Sequence, residues 1–170
     1  MKNSKAKGLI IFDHDGTLVD TNNGRFELYP GMREVLEKLV KNDFELAVWT
    51  LRPRASTIES LNKNGIAAFI NELYCSGDGP SKPHSFGLES ILQNSRGSFS
   101  QDHKEYKDKI LHIGDSIGDI VGAHQFKIAV VAALWNDPAM EDTLRAADYF
   151  AYKTSDCLSI IEKHFETILN

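Results

Sequence analysis

Cysteine is scarce in this chain. Cys75 and Cys157 are the only two in 170 residues, which gives no disulfide framework and suits a reducing compartment. Long apolar runs are missing as well, and the longest are far too short to span a bilayer. The basic N-terminus, Met1 to Lys7, is followed only by the apolar run Gly8–Phe12, too short for a secretory signal. The expected location is therefore the cytoplasm, with no membrane association. Basic residues are not in excess. Nineteen Lys and Arg stand against 24 Asp and Glu, a formal net charge of −5. That balance argues against nonspecific nucleic-acid binding, which depends on neutralising phosphates with basic side chains. It leaves small anionic ligands open, because a local field can be positive on an acidic protein. Internal repeats, low-complexity linkers and any excess of Gly or Pro are absent too, and no pair of histidines has the spacing of a zinc site.

What is present fits one domain over residues 1–170 with a substantial core, 42% of the residues being hydrophobic. Short apolar runs alternate with amphipathic segments. GLIIF (8–12) reads as a buried parallel strand ending at Asp13. Pro30-Gly31 opens a helix carrying Met32, Val35, Leu36, Leu39 and Val40 on one face. ELAVW (45–49) is a second strand, and Pro53 to Asn64 a helix closed by Gly65. A short strand is expected near Ala68–Tyr74, then a glycine-rich turn (CSGDGPSKP) and a helix through Leu88, Ile91 and Leu92. Asn94–Lys109 is polar and reads as an exposed loop. KILHIG (109–114) is a strand ending at Asp115, Asp119–Phe126 a helix, IAVVAA (128–133) a strand and Cys157–Leu169 a terminal helix. This alternation predicts an α/β fold, a mainly parallel sheet covered on both faces. Ligands of such sheets bind beyond the carboxyl ends of the strands, where Asp13, Thr50 and Asp115 are expected.

The polar residues on that rim carry a consistent chemistry. FDHDGTLVD (12–20) sets Asp13 and Asp15 two residues apart in a loop leaving a strand, with Gly16 permitting a tight turn. Alone, such a segment is as readily an Asx-turn. GDSIGD (114–119) adds Asp115 and Asp119, which alone read as a turn and a helix cap. Two acidic clusters on one rim repel each other without a cation, and hard oxygen ligands suit Mg²⁺. Thr50, with Arg52 and Arg54 close behind, and Lys82 before a helix offer the hydroxyl and ammonium that position and neutralise a phosphoryl group.

The order DHDGT, then Thr50 after a strand, then Lys82, then GDSIGD resembles the four motifs of the haloacid dehalogenase superfamily. The resemblance runs from about Gly8 to Ala151. It implies a Rossmann-like three-layer α/β/α domain and a Mg²⁺-dependent phosphatase. Asp13 would be the nucleophile that forms an aspartyl-phosphate, and Asp15 the general acid and base. Mg²⁺ would be held by Asp13, the backbone carbonyl of Asp15, and Asp115, with Asp119 nearby as a water-mediated ligand or an orienting group. Thr50 and Lys82 would bind phosphoryl oxygens. The acid at position 15 selects phosphatase or phosphomutase over the superfamily's ATPases and dehalogenases. Only Thr21–Tyr29 separates Asp20 from Pro30, too short for a helical cap, so no cap domain is expected. From Pro30 onward the chain is similar to phosphoglycolate-phosphatase-type enzymes without that cap. With Cys75 alone before Lys82, the zinc loop of some capless relatives is missing.

The substrate is expected to be a phosphorylated small molecule or a phosphoprotein, with oligomeric state left open. Blander roles compete at several positions. His14 reads more readily as a spacer packed under the loop than as a substrate contact, and His112 as structural. Trp49 and Trp135 read as packing residues, and Arg52 and Arg54 as a solvated helix start. Cys75 has no Arg cradle following it and so does not suit cysteine-phosphatase chemistry. A receiver-type phospho-acceptor domain, a phosphomutase and a retired scaffold are the competing functions.

Overall fold

The computed structural model describes residues 6–22, 24–95 and 104–170. Its chain order begins β1 (Gly8–Phe12), β2 (Val19–Asp20), β3 (Glu27–Leu28), α1 (Met32–Lys41), β4 (Phe44–Pro53), α2 (Arg54–Lys63), β5 (Glu72–Ser76) and α3 (Phe86–Asn94). It continues with β6 (Ile110–Gly114), α4 (Ile117–Phe126), β7 (Ala129–Ala133), β8 (Tyr149–Ala151) and α5 (Asp156–His164). Six strands make one parallel sheet in the order β5-β4-β1-β6-β7-β8. The expected α/β fold is the observed one.

β1 shows why the sheet is layered on both faces. All five of its residues are buried, yet they serve two cores. Ile10 and Phe12 pack with Leu36 and Leu39 of α1, Leu61 of α2 and Ile161 of α5. Leu9 and Ile11 pack on the other face with Leu88 and Leu92 of α3 and Ile120 and Ala123 of α4. Alternate side chains of a strand point to opposite faces, so an unbroken apolar run must sit between two helical layers. β1 pairs with β4 on one side and β6 on the other. The strand order reverses there, so the crevice where such sheets hold ligands opens at the carboxyl end of β1.

Several elements differ from the sequence expectation. The strand expected over 45–49 runs on to Pro53, with an irregular register against β5 between Trp49 and Pro53. Thr50 therefore lies inside a strand rather than after it. The strand expected near Ala68–Tyr74 starts later: Ala67–Phe69 is a 3₁₀ turn, and β5 occupies Glu72–Ser76. The Asn71 side chain accepts a bond from the Leu46 amide just before it. The terminal helix stops at His164, and Leu169 reaches the core only after the chain turns through Glu166 at φ 48°. Within the segment expected as a loop, α3 continues to Asn94 and Lys104–Lys109 forms a 3₁₀ helix; residues 96–103 lie outside the described residues. The β2–β3 hairpin and β8 have no counterpart in the sequence reading, since runs of two or three residues carry no periodicity. Among the described residues, the hairpin is the only regular structure between β1 and α1.

Candidate active site

Three adjacent strands deliver the site. Asp13 follows β1, and its amide donates to the Ile113 carbonyl of β6, which sets it beside Asp115. Thr50 stands on β4, and β1 pairs Phe12 with Val48. One carboxylate oxygen each from Asp13, Asp115 and Asp119 lies within 4.8 Å of the others. Two glycines allow this closeness. Gly16, at φ 81°, passes so near Asp115 that a Cβ would collide with its carboxylate, and a Cβ on Gly114 would strike the Asp119 side chain.

Lys82 joins the two acidic clusters. Its Nζ donates to Asp13 Oδ1 at 2.8 Å and to Asp119 Oδ1 at 2.6 Å, and its side chain is 2% exposed. The ammonium also lies 4.8 Å from the centre of the Trp49 ring, so that buried indole supports the lysine as well as filling the core. Asp119 is the anchor of this arrangement. Its Oδ1 takes Lys82 and His112 Nε2 (2.8 Å), and its Oδ2 takes the Ser116 amide and hydroxyl. His112 is in turn held at Nδ1 by the Ile11 carbonyl (3.0 Å). The cap reading and the site reading of Asp119 thus hold together, for Ser116 and Asp119 form a capping box at the start of α4. With donors on both its oxygens, Asp119 suits an orienting role better than direct metal ligation.

Asp15 faces the same rim from the β1 loop. Its Oδ1 accepts from His14 Nδ1 at 2.9 Å and from Arg52 at 3.1 Å. Arg54 is turned away from the site: it pairs with Asp78 and donates to the Leu73 carbonyl at the β5 edge. The Thr50 hydroxyl accepts from the Arg52 amide at 3.1 Å, which leaves its own proton for another acceptor. Asp115 is approached at 3.4 Å by Thr17 and by Asn136, and Asn136 also accepts from Tyr29 and Asn22. Trp135 donates to the Thr17 carbonyl, a packing role for its indole. Asn136 and Tyr29 join the site without any signal in the sequence, because nothing about a lone Asn or Tyr predicts which turn of chain it will meet. Ser116 stands three residues before Asp119 in GDSIGD, a capping-box spacing that the sequence does carry. His112 is structural, and what it supports is the site.

The electrostatics are those of carboxylates short of cations. Burial pushes Asp115 up to about 7, with the charges of Asp13 and Asp119 adding to it. Burial also lifts Asp13 above the ordinary carboxylate value, although Lys82 pulls the other way. Lys82 is shared with Asp119, whose carboxyl is held well below the usual range; there burial is outweighed by Lys82 and His112. Burial likewise opposes charge on Lys82, yet Asp119 and Asp13 raise its pKa on balance. Burial would raise Asp15, but the His14 hydrogen bond and the Arg52 guanidinium leave it below its ordinary value. Two crowded carboxylates with raised pKa values and a set of hard oxygen donors fit a small divalent cation, and Asp13 and Asp115 are the pair that would hold it.

Comparison with known proteins follows the same lines. The phosphoglycolate phosphatase of Vibrio parahaemolyticus is 28% identical over 120 residues, 70% of this chain and 48% of that protein. The chain thus spans about half the length of the curated relatives it matches. Among solved structures, one from Haemophilus somnus described as a predicted phosphoglycolate phosphatase superposes with a TM-score of 0.73 at 22% identity. It covers 94% of this chain and 99% of that chain. A Bacillus subtilis HAD-type hydrolase solved bound to magnesium superposes with a TM-score of 0.71 at 15% identity, covering 93% of this chain and 100% of that one. Residues 22–133 match the family described as haloacid dehalogenase-like hydrolase, a span that takes in Thr50, Lys82, Asp115 and Asp119 but begins after Asp13 and Asp15. With about two thirds of its length inside that match, the chain belongs to the haloacid dehalogenase-like hydrolases.

Proposed function

We propose that this chain is a Mg²⁺-dependent phosphatase that hydrolyses a phosphomonoester through an aspartyl-phosphate on Asp13. The observation that carries the reading is Lys82 Nζ bonded to Asp13 Oδ1 at 2.8 Å, beside Asp115, where the strand order reverses. One oxygen of Asp13 is held by an ammonium, which leaves Oδ2 to attack phosphorus. The new Asp13 O–P bond forms as the ester P–O bond breaks, and Asp15 passes a proton to the departing oxygen. In the second step Asp15 takes a proton from water as that water attacks phosphorus, which frees phosphate and restores Asp13. The low pKa of Asp15 favours the base form needed in this second step. An anionic phosphoryl group arriving beside it opposes ionisation and supports the acid form needed in the first. The unshared proton of Thr50 and the Lys82 ammonium would bind phosphoryl oxygens. Asp13, Asp115 and the backbone carbonyl of Asp15 would hold Mg²⁺, which when bound neutralises charge on the phosphoryl group.

The Vibrio relative places small phosphorylated acids such as phosphoglycolate on the list of substrates to try, alongside phosphopeptides. Phosphate release from such a panel, with Mg²⁺ or with a chelator, tests the reading. The expected result is metal-dependent turnover that falls by at least about three orders of magnitude in Asp13→Asn. Full activity in that variant would overturn it. A stable phosphoryl group on Asp13 without repeated turnover would point instead to a phospho-acceptor role.

A further inference from the structure

His14 stands between the two reacting aspartates, and the structure gives it more to do than fill space. Its ring is fully buried, and both nitrogens are bonded. Nδ1 meets Asp15 Oδ1 at 2.9 Å, and Nε2 meets the Ser60 hydroxyl at 3.0 Å. The roles follow from the partners. An ionised carboxylate only accepts, so Nδ1 carries the proton and donates. A ring with one proton then accepts at Nε2, and the Ser60 hydroxyl is the donor there. One ring proton and one hydroxyl proton satisfy the whole chain of bonds. Ser60 is itself buried on the inner face of α2, so the relay ties the loop after β1 to a helix of the scaffold.

The geometry at the far end is equally specific. His14 and Arg52 both bond to the same oxygen of Asp15, Oδ1. Among the described residues no donor bonds to Oδ2. We propose that the buried relay Ser60–His14 positions Asp15, pinning Oδ1 so that Oδ2 is the oxygen that gives up and takes back the proton. His14 and Ser60 are positioning residues in this scheme, since neither touches the reacting atoms. A carboxylate side chain has a soft terminal torsion, and a general acid must lie within hydrogen-bond reach of the leaving oxygen. Two donors on one oxygen fix that torsion. Arg52, partly exposed, provides one of them; the relay provides the other from the interior.

The proposal rests on the reading of Asp15 as general acid, and the test separates the two. A displaced acid harms basic leaving groups far more than good ones, whereas a merely loosened core harms both alike. kcat/KM for 4-nitrophenyl phosphate and for phenyl phosphate is therefore measured with Mg²⁺ in wild type, Asp15→Asn, His14→Leu, His14→Asn and Ser60→Ala. The expected pattern is that Asp15→Asn and His14→Leu both lose at least about ten-fold more activity on phenyl phosphate than on 4-nitrophenyl phosphate, a part of the usual general-acid contribution. His14→Asn, whose amide N–H can stand in for Nδ1–H, recovers part of that loss. Ser60→Ala, which leaves the ring in place, shifts the ratio the same way by a few-fold, and adds nothing to His14→Leu in the double variant because both act through one relay. Equal losses on both substrates in His14→Leu and Ser60→Ala, with the ratio still altered in Asp15→Asn, would overturn the relay alone. An unaltered ratio in Asp15→Asn would overturn the role of Asp15, and the relay with it.

Discussion

Lys82 is the residue on which the two acidic clusters depend. It is buried, it binds both Asp13 and Asp119, and its ammonium rests on the Trp49 ring. Replacing it with Met keeps much of its length but leaves two buried carboxylates without their cation. Breaking a buried pair in this way typically costs about 3–5 kcal/mol. Lys82→Met is therefore expected to lower the unfolding free energy of the metal-free protein by that amount, read from denaturant titration, and to abolish turnover, both measured on the same preparation. A midpoint unchanged from wild type would show that Asp13 and Asp119 find another partner or simply protonate. This residue was legible as a candidate only in company. One Lys before a helix is ordinarily a solvated group, and it is the approach of β6 and α4 that makes it a buried counter-ion.

At the scale of elements, α1 shows how little of a helix needs tertiary help to be recognised. Of the five apolar residues expected on one face, Met32, Val35, Leu36 and Leu39 are buried, while Val40 is exposed at the edge of that face. Leu36→Ala is expected to cost about 2–5 kcal/mol, read as a shift in denaturant midpoint at unchanged slope. A shift under about 1 kcal/mol would mean that the core closes over the space. α4 is a different case. Its N-terminus is fixed by the Ser116–Asp119 capping box, and the same Asp119 holds Lys82. Ser116→Ala should therefore cost about 1 kcal/mol of stability as a lost cap and also weaken substrate handling through Lys82. The β2–β3 hairpin and β8 lie at the opposite extreme, being too short to register as strands until their partners are in place.

For the whole molecule, the crowding of charge at one rim should be visible in how stability depends on pH. Asp115 titrates at about 7 in the folded chain against an ordinary value of 3.8, and Asp13 is shifted the same way. Between about pH 4 and pH 7 the folded chain holds protons that the unfolded chain has released. The corresponding stability is present at the acid end of that window and is lost as pH rises through it. Asp15 and Asp119 shift downward and so act in the opposite sense, but only at more acidic pH. Metal-free protein should therefore lose a few degrees of Tm between roughly pH 5.5 and 8, and Mg²⁺ should raise Tm more at the upper end, where Asp13 and Asp115 are free to bind it. A flat profile with no response to Mg²⁺ would contradict the metal-binding reading of this pair. The sequence by itself determined the alternation of strands and helices, because unbroken apolar runs and helical spacing are local patterns that survive without knowledge of neighbours. It also pointed to Asp13 and Asp115 on one rim, because the carboxyl ends of parallel strands lie on one edge; Thr50, expected at a strand end, lies within β4 instead. Only the tertiary structure decided the partners: Asp119 as the anchor of Lys82, Arg52 on Asp15 while Arg54 turns away, and Ser60 behind His14. Those contacts join residues 37 and 46 positions apart, and which side chain fills which gap follows from how the helices pack on the sheet.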